Sequence, residues 1–330
     1  MKTSVTFTFI LLFIGVGISY IYLNPSAPKP LELPSAGMEL LSREEGDIRL
    51  IQIQNLDNHK IITMERSGNT WMIRYPVRYP ADPMMAEGLA AALKYSKKAR
   101  RMPAQRNWEE YGLWRPSLKI GVETERSERG ERGGEKRKYL YLGDPAPVGA
   151  FVFARWEGEK EYFLIQSQLK NAFNVSLYSL RMKRLFTLPL KDISKIKVRT
   201  FSQEFELEKR GTDWFWMQPI ALLGTRIPEK KIRKILSLRE GLYVKDFLDG
   251  EPADDAKAFP ETPASITMFA ENGAQEGLRV GLELPNRDAH YAKQESSAAG
   301  AGPVLLVSKE RIQDFFSLFH EESQPPPSEK

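Results

Sequence analysis

ITMERSGNTWMIRYP, residues 62–76, and FELEKRGTDWFWMQP, residues 205–219, decide how this chain is organised. The two stretches align without a gap at a spacing of 143 residues, and Glu65, Gly68, Trp71 and Pro76 recur as Glu208, Gly211, Trp214 and Pro219. Alternating apolar residues, a glycine turn and a second apolar run ending in proline describe a β-hairpin, its outgoing strand stopped by a residue with no amide donor. The chain has 330 residues, about twice the usual length of one domain, so a duplicated unit accounts for the length as well as for the motif.

The elements beyond the hairpin recur in the same order. Asp82 to Met102 has Met85, Leu89, Ala92 and Leu93 at helical spacing, with Asp82 as cap and a basic end; Pro228 to Val244 has Ile232, Ile235 and Leu236 on one face. Both read as amphipathic helices. Glu109–Pro116 (EEYGLWRP) leads into the strand LKIGVET, and Ala258–Pro263 (AFPETP) leads into SITMFAE. Three strand-like runs follow in each half: KRKYLYLGD, AFVFARWEG and EYFLIQSQ, then LRVGLEL, AHYAKQES and PVLLVSKE. A terminal helix closes each half. The expected class is α+β, with an antiparallel sheet and one long helix in each of two domains, 37–185 and 186–320.

At the amino terminus residues 5–23 carry no charge, and nineteen residues at 1.5 Å each reach about 28 Å, the thickness of a hydrocarbon core. Residues 1–24 are therefore expected to be a transmembrane helix. The other reading is a cleaved signal peptide, since Gly17 and Ser19 offer small residues. Pro25, Pro28, Pro30 and Pro34 make 25–36 an extended linker, and 321–330 is expected to be a disordered tail. Lys2 opposite Lys29 and Arg43 leaves orientation nearly balanced, and a short amino-terminal tail in the cytoplasm puts the rest outside. The expected location is the bacterial inner membrane, single-pass, with the carboxyl-terminal domains periplasmic.

Composition removes several chemistries. There are no cysteines and three histidines, His59, His290 and His320, none within four residues of another, so thiolate and imidazole sites are poorly supplied. A net charge of +5 on 48 basic and 43 acidic residues is mild for a nucleic-acid binder. No phosphate-binding glycine loop, Gly-x-Ser-x-Gly elbow or His-Glu-x-x-His pair occurs. The expectation is accordingly no cofactor, no metal, no nucleic-acid partner and no catalytic residue.

Each chemistry-bearing cluster has a bland reading beside a functional one. Gly112 in Tyr111-Gly112-Leu113 suits a left-handed position closing a short helix begun by Trp108, with Leu113 turned to the core; Glu109 and Glu110 as an acid–base pair lack a partner. Trp71 and Trp214 could stack a sugar or a base, yet their recurrence in both copies favours a shared packing role. The run Glu125 to Lys138 reads as a solvated hairpin loop or a basic contact. Lys94, Lys97, Lys98, Arg100 and Arg101, with Lys230, Lys231, Arg233 and Lys234, put a cationic stripe on each helix. Asp249, Glu251, Asp254 and Asp255 resemble a calcium loop only loosely.

Taken together, Asp47-Ile48, Gly68, Trp71 and Pro76, the Tyr111-Gly112-Leu113 motif with Pro116, Leu142-Gly143, and the second hairpin with Gly211, Trp214 and Pro219 resemble a bacterial family, the domain of unknown function numbered forty-three-forty. The resemblance covers nearly the whole chain and implies a membrane helix with tandem α+β repeats. It also implies an accessory role beside gliding-motility-type ABC transporters. The second copy departs from the pattern in replacing Tyr-Gly-Leu by Phe259-Pro260. The functional expectation is a non-enzymatic envelope accessory or scaffold protein, an auxiliary component of an ABC transporter system with protein partners there. The alternative is a periplasmic small-molecule or glycan binding module.

Overall fold

The structure, a computed structural model, describes residues 38–102, 107–128, 137–147, 149–200, 202–249, 258–296 and 303–320. The strands are β1 (Met38–Glu39), β2 (Ile48–Asn55), β3 (Lys60–Ser67), β4 (Thr70–Tyr75), β5 (Tyr79–Pro80), β6 (Lys97–Lys98), β7 (Arg100–Met102), β8 (Leu118–Thr124), β9 (Lys138–Pro145), β10 (Phe151–Trp156) and β11 (Tyr162–Gln166). They continue as β12 (Ile193–Arg199), β13 (Glu204–Arg210), β14 (Asp213–Gln218), β15 (Val244–Leu248), β16 (Ala264–Ala270), β17 (Gln275–Leu284), β18 (Ala289–Ser296) and β19 (Val304–Ser308). The helices are α1 (Pro83–Tyr95), α2 (Glu125–Glu128), α3 (Ser167–Phe173), α4 (Leu177–Leu180), α5 (Glu229–Glu240) and α6 (Lys309–His320).

Three sheets form: β1-β6, the nine-stranded β5-β4-β3-β2-β8-β9-β10-β11-β7, and the eight-stranded β14-β13-β12-β16-β17-β18-β19-β15. With β5 set aside, the nine-stranded order repeats the eight-stranded one position for position. Registers repeat too. Ile120 faces Ile53 and Leu140, as Ile266 faces Val198 and Leu278; Ala154 faces Phe163, as Ala292 faces Leu305. In both hairpins a two-residue loop joins the strands, with Ser67 opposite Thr70 and Arg210 opposite Asp213. Gly68 and Gly211 sit in these loops at φ 59° and 63°, the left-handed region where a missing Cβ avoids a clash. Pro76 and Pro219 both follow cis peptide bonds.

Two expectations are corrected here. The fold is mainly β rather than α+β, because segments read as helix ends pair as strands. The helix expected over 82–102 stops at Tyr95, and Lys97–Lys98 and Arg100–Met102 satisfy their backbones against β1 and β11. The helix expected over 228–244 stops at Glu240, and Val244 opens β15 beside β19. The cationic stripe is interrupted for the same reason, since Lys97 to Arg101 are not on a helix.

The second correction concerns location. The apolar stretch 5–23, the linker and the carboxyl-terminal tail lie outside the described residues. Among the described residues no helix is long and apolar enough to cross a membrane. The longest, α1, has 13 residues, about 20 Å against the roughly 30 Å of a hydrocarbon core. The transmembrane helix and the single-pass inner-membrane placement with periplasmic domains therefore find no support.

The chain divides into two compact units, one drawn from Met1–Ile61 and Leu89–Asn174, the other from Ile62–Gly88 and Val175–Lys330. In the first, Leu113, Phe153, Tyr162 and Leu164 form an apolar cluster joined by the rings of Trp108 and Tyr111. In the second, α5 and α6 turn Ile232, Ile235, Ile312, Phe315 and Phe319 onto the inner residues of the eight-stranded sheet. Tyr79 of β5 belongs to that second core, its ring 5.2 Å from Phe247 edge to face.

Candidate functional site

The first unit contains an open cavity of about 620 Å³, floored by Leu40, Leu41 and Trp156 and rimmed by Lys98, Lys138 and Glu159 among others. Its walls follow from local chain chemistry. Met38 pairs with Lys98 across β1 and β6, and the amide of Leu40 donates to the Ser96 carbonyl at 2.9 Å. A 3₁₀ turn at Arg43–Glu45 follows, capped by Ser42, whose hydroxyl accepts from the Glu44 amide. This turn drops Glu45 inward, where only 4% of it stays exposed.

Burying a carboxylate requires partners, and Glu45 has them: Lys138 donates to it at 2.8 Å and Thr124 at 3.0 Å. Glu123, also buried, takes two bonds from Arg137 at 2.9 and 2.7 Å. Two rim cations are thus held by buried carboxylates. Glu157 accepts from Lys119 at 2.9 Å and from the Tyr141 hydroxyl. Burial pushes its carboxyl up, but those two hydrogen bonds outweigh it and hold it below the usual range.

Lys98 differs. No carboxylate lies within ion-pair distance of it among the described residues, and its ammonium sits 4.8 Å from the Phe163 ring centroid. Burial lowers its pKa, with Glu159 pulling the other way. A second, smaller hollow of about 310 Å³ shares Lys98 and Glu159 and reaches Arg101 and Tyr162. Chemically this is an open hollow lined by charged side chains, with the Lys98 ammonium outside any ion pair among the described residues. Among the described residues no group of three or more His, Asp or Glu side chains could hold a metal ion.

The residues singled out by sequence are dispersed. Trp71 and Trp214 are buried at 2% and 7% exposure and present no stacking face to solvent. The Trp71 indole donates to Glu87 at 3.0 Å, and Arg66 binds both oxygens of the same carboxylate. Gly112 takes φ 62° at the end of the 3₁₀ turn Glu109–Tyr111, and Leu113 is fully buried. Glu110 accepts from Asn107 at 2.7 Å, and Pro116 precedes β8. Asp249 is a bidentate partner of the buried Arg181, at 2.6 and 2.8 Å. The rest of that acidic run, and 129–136 of the charged loop, lie outside the described residues.

Two further features go beyond the roles read from sequence. Gly143, singled out there with Leu142, and Gly281 are strand glycines at equivalent positions. A Cβ on Gly143 would collide with the Tyr111 carbonyl oxygen, and one on Gly281 with the Ala258 carbonyl oxygen. The Tyr-Gly-Leu loop and its Phe259-Pro260 counterpart therefore approach the sheet in the same way. A glycine inside a strand in both copies is the signal that could have found this approach.

The other feature is an asymmetry between the segments downstream of the two cis prolines. After Pro76, Tyr79 is buried, donating from its hydroxyl to Gln294 at 2.9 Å, while the Met182 amide donates to the Pro80 carbonyl and the Asp82 amide to that of Leu180. After Pro219, the 3₁₀ turn Ile220–Leu222 is closed by Leu222 N–H to Pro219 and Gly224 N–H to Trp216, at 2.9 and 2.8 Å. Yet Ile220 is 87% and Leu223 58% exposed. The turn is hydrogen-bonded within the hairpin and carries Ile220 and Leu223 outward, while Leu222 packs against the second core.

Residues 71–263 match the family model described as Domain of unknown function (DUF4340). The chain belongs to this family. The match runs from the hairpin tryptophan of the first copy to the proline that precedes β16 in the second. No curated protein and no solved structure matches the chain.

Proposed function

We propose that this protein is a non-enzymatic scaffold that docks onto protein partners through the turn at 219–225, and that it serves as an auxiliary component of an ABC transporter system. The observation that carries the docking reading is the exposure of Ile220 and Leu223 on a turn whose backbone is hydrogen-bonded internally. Two large apolar side chains held outward on one turn cost hydration free energy, at about 25 cal/mol for each Å² of apolar surface left in water, and a partner that covers them would recover it. The transporter enters through the family resemblance alone.

The test is a photoreactive amino acid at position 220 of the full chain in its native cells. Adducts with transporter subunits, missing when the probe stands at exposed Asn58, support the reading. If none forms while a small ligand raises the melting temperature of the purified chain, the scaffold reading is wrong. That outcome favours the second reading, a small-molecule or glycan binding module, for which the cavity over Leu40, Leu41 and Trp156 is the supporting observation.

A further inference from the structure

The duplication gives the cavity of the first unit a counterpart in the second. The Leu40 amide donates to the Ser96 carbonyl as the Leu185 amide donates to that of Leu242, and Glu39 lies opposite Lys97 as Arg184 lies opposite Tyr243. Leu40 and Leu41 therefore stand where the second unit has Leu185 and Phe186. Within the sheets, Phe163 faces both Ala154 and Arg101, as Leu305 faces both Ala292 and Phe247. Trp156, two residues beyond Ala154, accordingly takes the place of Gln294, and Arg101 that of Phe247.

In the second unit the place between Gln294 and Phe247 holds an aromatic ring with a polar end. The Tyr79 hydroxyl donates to Gln294 at 2.9 Å, the Gln294 amide donates on to the Leu185 carbonyl at 2.8 Å, and the ring meets Phe247 edge to face. In the first unit the same stretch of sheet borders the two hollows: Trp156 lines the larger, Arg101 the smaller, and Lys98 both. At about 620 Å³ the larger has the size of a small-molecule site.

The charges around it narrow the ligand. Lys138 is held by Glu45, Arg137 by Glu123, Glu157 by Lys119, and Glu39 by Arg43. Among the described residues this leaves Lys98 and Glu159 of the lining outside any ion pair. Glu159 is exposed, where water screens it. Lys98 is half-buried against the Phe163 ring, and burial lowers its pKa, so an anion placed there offsets a desolvation cost the ammonium already bears. We infer that the first unit binds a small aromatic carboxylate, its ring over Leu40, Leu41 and Trp156 and its carboxylate accepting from Lys98. This rests on the cavity reading above, not on the turn at 219–225, and names the class of ligand.

Naphthoate, its neutral amide naphthamide and the cation naphthylmethylammonium serve as probes, titrated into the purified full chain by calorimetry. Naphthoate is expected to bind about tenfold tighter than naphthamide, the worth of one hydrogen bond to a charged group. Lys98→Met should abolish that advantage and leave naphthamide unchanged, and Glu159→Gln, at an exposed position, should tighten naphthoate. The chain has no cysteine, so a bulky maleimide on Met38→Cys at the cavity rim should block binding where the same label on exposed Asn58→Cys does not. Melting temperatures equal to wild type check that each variant folds. Equal affinities for naphthoate and naphthamide, or tightest binding of the ammonium, overturn the carboxylate assignment while the cavity reading stands. Binding that survives the label at position 38, or no binding at all, overturns both.

Discussion

Replacing glycine by alanine at two positions should change stability in opposite directions. At Gly143 the backbone is in the ordinary strand region, so alanine on its own merits stabilises by about 0.5–1 kcal/mol. Against this, the new Cβ overlaps the Tyr111 carbonyl oxygen and comes 3.0 Å from a Leu113 methyl and 3.1 Å from the Gly112 carbonyl carbon. Backbone cannot swing aside as a side chain does, and overpacking of this sort costs about 1–3 kcal/mol or somewhat more. The net expectation is a loss of about 2 kcal/mol. At Gly88, in the exposed middle of α1, nothing lies within 4 Å of the added atom, and the helix gains about 0.8–1 kcal/mol. Equilibrium urea unfolding followed by tryptophan fluorescence measures both, with the two units fitted as separate transitions. With slopes of about 2 kcal/mol/M, Gly143→Ala should lower its midpoint by about 1 M and Gly88→Ala should raise its own by about 0.4 M. A Gly143→Ala midpoint at or above wild type would refute the close loop-to-strand approach, and with it the equivalence to Gly281.

Single groups give further expected outcomes. Burial pushes the Tyr79 hydroxyl up to about 12 although Arg181 pulls it down; the unfolded chain loses that proton from about pH 10, so the second unit should lose about 2–3 kcal/mol between pH 10 and 12. Tyr79→Phe should remove most of that loss in an alkaline titration of the urea midpoint; an unchanged slope would count against it. Glu87→Gln keeps an acceptor for the Trp71 indole and should sit within about 0.5 kcal/mol of wild type, whereas Glu87→Ala strands the indole N–H and should cost about 1–2 kcal/mol in the same assay. Equal losses for the two would show that the charge of Arg66–Glu87, not the indole bond, is what matters.

The duplication is legible in the sequence because its marks are local. A glycine turn, a core tryptophan and a strand-ending proline each impose a conformation on their own few residues, and all three recur as Gly68, Trp71, Pro76 and Gly211, Trp214, Pro219. The mainly β character is harder to read, since Lys97 to Met102 continue a basic, helix-compatible run; only pairing with β1 and β11 turns them into strands. By sequence Lys98 reads as part of a helix stripe for that reason, whereas the structure sets it at the cavity rim. The contrast between Tyr79 and Ile220 is marked in the sequence only by spacing. The Ala81 amide donates to the Trp71 carbonyl as that of Ile227 does to Trp214, so three extra residues follow Pro219, and the turn at Ile220 lies within that added length. The cavity leaves no sequence signature because its walls come from separate segments, around Leu40, Lys98, Lys138 and Trp156.

The central claim is that the turn beyond Pro219 holds Ile220 and Leu223 outward for a protein partner, whereas Tyr79 beyond Pro76 is buried in its own unit. Hydroxyl-radical footprinting of the full chain, purified and in its native cells, tests this most directly. Tyr79 is expected to stay protected in both, with exposed Tyr95 as the reactive reference, while Ile220 and Leu223 react freely in the purified chain and are protected in cells. Oxidation of Tyr79 as fast as Tyr95, or of Ile220 and Leu223 at the same rate in cells as in the purified chain, would contradict it.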